Sequence, residues 1–270
     1  MCGGEAILIE AASRAIVPPG DITGGVTARG GSKSSSEDQG GDEGRACLDD
    51  FDGGKNSAGQ ASSDSNRFRW DSALRQSLLF LLVEHGFRVA TQPGTRAELK
   101  GPFFKDWFES VHNLRHWRDG DPFYVNYVGH PLQGAVSGFI QVQNDPRGIK
   151  LTPGLNRAYV RSRPRALGWS AIYSTQFELG PLGESSIGNV GLRPYETSRR
   201  PQAFVDMVIS PVFGTAWLVG EDLIDQKLIR RIESKTTNRV IRIVARSLLN
   251  PSRSFANLMR GRWFWYRDDR

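Results

Sequence analysis

Between Ala203 and Gly220 the chain runs through 18 residues with a single charge, Asp206. Such a run leaves water only by packing inside a helical bundle or by meeting lipid, and its length stands at the lower limit for crossing a bilayer, about 17–25 residues. Pro211 and Gly214 interrupt its middle, so a buried core helix or a half-inserted one competes with a full crossing. The pattern continues amphipathically through Leu228 and Ile232. Along it, Asp206, Ser210, Gly214, Trp217, Glu221 and Asp225 recur three or four apart, which draws a polar stripe down one side of an apolar helix. Buried charge is costly unless paired, so the stripe is expected to face partners inside a bundle rather than lipid.

Charge divides the chain in two. Residues 1–66 hold 5 Lys or Arg against 11 Asp or Glu, so of the net +6 this stretch contributes −6 and residues 67–270 contribute +12. The acidic stretch has no Trp or Tyr, a single Phe, and runs such as GGSKSSSEDQGGDEG. That composition buries too little apolar surface to offset backbone entropy and predicts a disordered tail. Its one apolar stretch, Ala6 to Val17, is broken by Glu10 and Arg14 and lacks the form of an export signal. A start downstream of Met1 is the alternative, and with Met only at 1, 207 and 259 it would use another codon. Cys2 and Cys47 both fall in the tail, far from any metal-site spacing, and the rest of the chain has no cysteine.

From Arg67 onward the periodicity is helical. Trp70, Leu74, Leu78, Leu81 and Leu82 predict an amphipathic helix capped by Asp71 or Ser72 and stopped by TQPG at 91–94. A second helix is expected from 101 or 102 to Trp117, with Phe104, Trp107, Phe108, Val111 and Leu114 on one face. A third runs from Pro131 to about Gln143, and a fourth covers Tyr159 to Phe177 with an interruption at Pro164. After the uncharged run, a last helix is read from Val240 to Leu249, ended by Asn250-Pro251. Period-2 strands are absent. The sequence therefore predicts a mainly α fold: a disordered tail, 1–66, then a helical, membrane-associated domain, 67–270, of about five to seven helices.

Four features bear on chemistry. His130 stands at the start of the third helix, where the dipole disfavours its protonation and leaves a neutral base or metal ligand; packing or capping the helix start is the plainer role. Gly134 and Gly138, four apart on that helix, allow a second helix to approach closely. Glu178 and Glu184 flank Pro181 and, with His130, Glu221 and Asp225, form a candidate catalytic cluster suited to a divalent metal or to acid–base work; structural salt bridges to the many arginines are the alternative. No HExxH, GxSxG or P-loop spacing specifies a cofactor. His112 and His116, one turn apart, read as a solvated or interface face. The fourth feature is the C-terminus: residues 227–270 hold 12 basic and 3 acidic residues and close on RGRWFWYR. Basic residues among aromatics suit an anionic lipid surface or nucleic acid, and the low charge of the neighbouring helices favours lipid.

As a set, NYVGHPLQGAVSGFI (126–140), FELGPLGESSIGN (177–189), FVDMVISPVFGTAWLVGEDLID (204–225) and LNPSRSFANLMRGRWFWYR (249–267) resemble an uncharacterised bacterial family of envelope or membrane proteins. The resemblance spans nearly all of the chain after the tail. It implies a helical, membrane-associated domain and suggests that His130, Glu178, Glu184, Glu221 and Asp225 belong to one constellation. It supplies no reaction. Members of such a family begin with an export signal, and this chain departs from that pattern. The expectation is a structural or binding protein of the cell envelope with a lipid surface as partner. A metal-assisted hydrolase of a lipid or envelope substrate is the first alternative, and nucleic-acid binding through the C-terminus is the second.

Overall fold

The computed structural model describes residues 67–187, 190–193 and 201–268, with Glu98 described by its backbone alone. The tail, with Cys2 and Cys47, lies outside the described residues. What is described is mainly helical, with no strand; the one pairing of extended residues is a parallel bridge between His116 and Ala203.

The helices are α1 (Trp70–Thr91), α2 (Pro93–Glu98), α3 (Phe103–His112), α4 (His130–Asn144), α5 (Arg157–Leu179), α6 (Glu184–Ile187), α7 (Val205–Ile224), α8 (Arg230–Lys235), α9 (Arg239–Leu249) and α10 (Pro251–Met259). A π-helical turn, Val125–Gly129, leads into α4, and a second, Asp225–Ile229, joins α7 to α8. Helices α1 and α9 end before Pro93 and Pro251, where the sequence expectation stops them. The same two prolines also sit in the first turns of α2 and α10, where a missing N–H costs nothing. Pro164 and Pro211 lie inside α5 and α7, which continue through them.

Helix α4 is the axis of the bundle. From Pro131 to Asn144 every residue except Leu132 is buried, against α5, α7 and α10. It approaches α7 backbone to backbone: a Cβ added to Gly134 would stand 1.8 Å from the Ser210 carbonyl oxygen, and one on Gly214 would stand 2.6 Å from the Gly134 carbonyl carbon. Only glycine fits at this crossing. Gly138 is seated under Leu218, 2.9 Å from where its own Cβ would be. Phe80, Leu81, Val136, Phe139, Ile140, Tyr173, Phe177 and Leu218 form the apolar core, with the Phe80 and Tyr173 rings stacked at 5.3 Å.

Around that small core, polarity runs opposite to the usual pattern of apolar interior and polar surface. Among the described residues, buried polar and charged side chains outnumber buried apolar ones. Helix α1 carries the clearest correction to the sequence expectation. Trp70, Leu74, Leu78 and Leu82, read as its inner stripe, are exposed, Trp70 by 61% and Leu82 by 57%, while Ala73, Gln76, Phe80, Leu81 and His85 face inward. The reason is a polar partner in α4: the side chains of Gln76 and Asn144 hydrogen-bond each other inside the bundle, Asn144 Nδ2 donating over 3.0 Å. Helix start and cap also differ, since Trp70 is already helical and neither Asp71 nor Ser72 caps it. On α3, Phe104 and Phe108 likewise point out, and on α9 Val240, Ile241, Val244 and Leu248 do.

Candidate functional site

Three helix ends meet at one small cavity of about 120 Å³. The N-terminus of α4 supplies His130, the last turn of α5 supplies Glu178, and the first turn of α7 supplies Asp206. Arg88 from the end of α1, Asp119 and Asp121 from the connection before the π turn, and Glu184 from α6 complete the charged wall. Among the described residues, five carboxylates thus share the cavity with one arginine, and that arginine pairs with Glu184.

His130 Nε2 lies 3.4 Å from Asp206 Oδ1. On the other side of the ring, Nδ1 lies 3.3 Å from Gln133 Oε1. Gln133 turns its amide nitrogen to Glu84 Oε2 (3.4 Å), which also accepts the Tyr173 hydroxyl at 2.6 Å. The amide oxygen of Gln133 only accepts, so Nδ1 carries the imidazole proton and Nε2 presents its lone pair to the cavity. Burial lowers the His130 pKa to about 4, and the charge of Arg88 acts the same way, against the Gln133 hydrogen bond and the charge of Asp119. The ring is neutral at physiological pH.

The acids are driven the other way. Glu178 is 4% exposed and Asp206 5%. Burial raises the Glu178 carboxyl in spite of Arg88, and Asp119 and Asp121 add to the rise. Asp206 is raised by burial first and then by Glu178 and Asp119. Asp119, although its own burial acts upward, is held below the ordinary range by hydrogen bonds from Asp206, the Asp121 N–H and Asn126. Among the acids that line the cavity, Glu178 and Asp206 each keep one buried carboxylate oxygen without a hydrogen-bond partner, Oε1 and Oδ1 respectively. One oxygen from each acid and one nitrogen of His130 lie within 4.8 Å of one another, so these three residues can hold a metal ion.

The five residues singled out in the sequence divide between two places. His130, Glu178 and Glu184 line this cavity. Glu221 and Asp225 do not; they lie at the far end of α7, in a separate ion network. There Glu221 accepts the Ser252 and Arg253 backbone N–H groups at 2.9 and 3.1 Å, capping α10. Asp225 pairs with Arg267 and, at 3.6 Å, with Arg253. Asp222, fully buried, pairs with both Arg163 and Arg253 and accepts the Tyr159 hydroxyl at 2.9 Å. The network continues outward through Glu233, which takes Arg267 at 2.6 Å and Arg246. Sequence reasoning passed over Asp119, Asp121 and Arg88 at the cavity, and Asp222 and Arg163 at the network; Asp206 was seen as part of the stripe but not as a partner of His130. The DGD turn at 119–121 and the Glu221-Asp222 pair were the available signals.

His112 ends α3 and His116 forms the bridge to Ala203. In the C-terminal segment, Arg246, Arg253, Arg260 and Arg267 turn to the chain's own acids. Part of the basic C-terminal segment read from composition is therefore an internal fastening. No family model matches the chain, and no curated protein and no solved structure matches it either.

Proposed function

We propose that the helical body is a membrane-associated domain of the cell envelope with a structural or binding role, lying against a lipid surface rather than threading it. The observation that carries this reading is the outward apolar face of α1, where Trp70, Leu74, Leu78, Leu79, Leu82 and Val83 are all exposed. A contiguous exposed apolar face of this kind marks a surface that meets a partner or lipid. The second support is α9, whose Val240, Ile241, Val244 and Leu248 stripe is exposed while Arg242 and Arg246 lie on its other side. With exposed Lys227, Arg230, Arg231, Lys235 and Arg239 just before the stripe, this segment has the composition of an interfacial helix on anionic lipid.

One helix, Val205–Lys235, is long and apolar enough to cross a membrane. A crossing by it would carry Glu221, Asp222 and Asp225 into hydrocarbon together with the arginines they hold, which favours association at the surface. Nucleic-acid binding loses its main support with the inward turn of four C-terminal arginines. The hydrolase reading depends on the cavity and on a bound cation.

Flotation of the full chain with vesicles of phosphatidylcholine and phosphatidylglycerol tests the proposal. The expected result is co-flotation that persists in high salt and weakens in the triple variant Leu74→Ser, Leu78→Ser, Leu82→Ser. A chain that is monodisperse without lipid or detergent and stays at the bottom of the gradient contradicts it.

A further inference from the structure

We propose that the cavity between the ends of α4, α5 and α7 is a divalent-cation site whose protein ligands are His130 Nε2, Glu178 Oε1 and Asp206 Oδ1. The argument rests on unpartnered atoms as well as on proximity. Glu178 and Asp206 are more than nine-tenths buried, line the cavity, and each leaves one carboxylate oxygen with no donor. An orphaned buried acceptor is costly, and more so when charged, so two in one cavity call for a cation. Among the described residues, the one arginine that lines the cavity is already engaged by Glu184.

The geometry also fits. Two ligands each about 2.1 Å from an ion, at a tetrahedral angle, stand about 3.4 Å apart, and His130 Nε2 and Asp206 Oδ1 are 3.4 Å apart. Glu178 completes the set with an oxygen within 4.8 Å of the other two ligand atoms. Behind the imidazole, Gln133, Glu84 and Tyr173 form a hydrogen-bonded chain that fixes the ring with its lone pair inward. Metal-bound histidines are oriented by such partners. A single π turn, Val125–Gly129, delivers His130 to the cavity, and such turns recur at functional sites. One imidazole and two carboxylates suit a first-row divalent metal such as Zn²⁺ or Mn²⁺ better than Ca²⁺, which takes oxygen ligands alone. The charge of the wall agrees, since Asp119 and Asp121 line the same cavity.

This site does not depend on membrane association, and its test reads metal alone. The full chain, stripped with chelator, is titrated with ZnCl₂ and with MnCl₂ by calorimetry, and bound metal is then counted by elemental analysis. One tight equivalent per chain is expected. Glu178→Gln and Asp206→Asn, which keep shape and remove charge, are each expected to weaken binding by at least about 100-fold, and Gln133→Leu by about 10–100-fold. The double variant His112→Ala, His116→Ala is expected to bind as the parent does. The proposal is overturned if the parent chain takes up neither metal, or if uptake is unchanged in the Glu178→Gln, Asp206→Asn double variant. The parent titration decides the matter even if a variant fails to fold.

Discussion

The two ends of α7 pose the same electrostatic problem and answer it differently. At its C-terminal end Glu221, Asp222 and Asp225 are buried, and each meets donors from the protein: two arginines and a tyrosine for Asp222, two backbone N–H groups and the Trp217 indole for Glu221, and Arg253, Arg267 and Asn250 for Asp225. At its N-terminal end Asp206 and Glu178 are buried as deeply, but their neighbours are three further acids, a neutral imidazole and an arginine already taken. The same residue types on the same helix are thus a fastening at one end and an incomplete coordination shell at the other. Burial of acids does not distinguish structure from function here; the supply of counter-charge does.

The sharpest break of this comparison is at the satisfied end. Asp222→Ala takes the anion from Arg163 and leaves Arg253 only its longer contact to Asp225, and is expected to cost about 3–5 kcal/mol in urea unfolding. Next is the crossing that holds the two ends on a common axis. Gly134→Ala forces a methyl group into the Ser210 carbonyl, and since backbone cannot yield as a side chain does, about 3 kcal/mol is expected by the same assay. Between the ends lies Glu84, which has donors in Tyr173 and Gln133 but no cation, and burial raises its pKa to about 8. The folded chain holds a proton there that the unfolded chain releases above about 4.5, so stability falls as pH rises from about 4.5 to about 8. Glu84→Gln is expected to flatten that fall by roughly 2 kcal/mol over the window in thermal melts, less than the full shift implies because water reaches the partly exposed side chain. The smallest effect belongs to the unsatisfied end: with metal removed, Asp206→Asn is expected to change stability by less than about 1 kcal/mol, in contrast to the Asp222 variant. A loss as large as that of Asp222→Ala would erase the distinction.

Helix positions were legible because their period is local. The segments centred on 70–86, 131–143, 159–177, 203–220 and 240–249 all appear as helices, and the glycines at 134 and 138 do mark a close approach. Which face of a helix points inward was not legible in α1, since a stripe of Leu is the same pattern whether it meets core or lipid. Pro93 and Pro251 were legible as the ends of α1 and α9 but not as the starts of α2 and α10, since proline ends one helix and begins the next with equal ease. In the site, His130 and Glu178 were visible as chemistry-bearing residues, and the stripe on α7 named Asp206, Glu221 and Asp225 together. Spacing of 15 and 19 residues spans most of α7, so one stripe contributes to two sites about a helix length apart. Only tertiary packing assigns Asp206 to His130 and Asp225 to Arg267.

X-ray absorption at the metal edge, on chain reconstituted with one equivalent of Zn²⁺, tests the central claim most directly. A first shell of nitrogen and oxygen at about 2.0–2.2 Å, with the outer-shell signature of one imidazole and no sulfur, is the predicted result. A sulfur shell near 2.3 Å, which would place the metal at Cys2 and Cys47, or the signature of two imidazoles, which would place it at His112 and His116, contradicts the account.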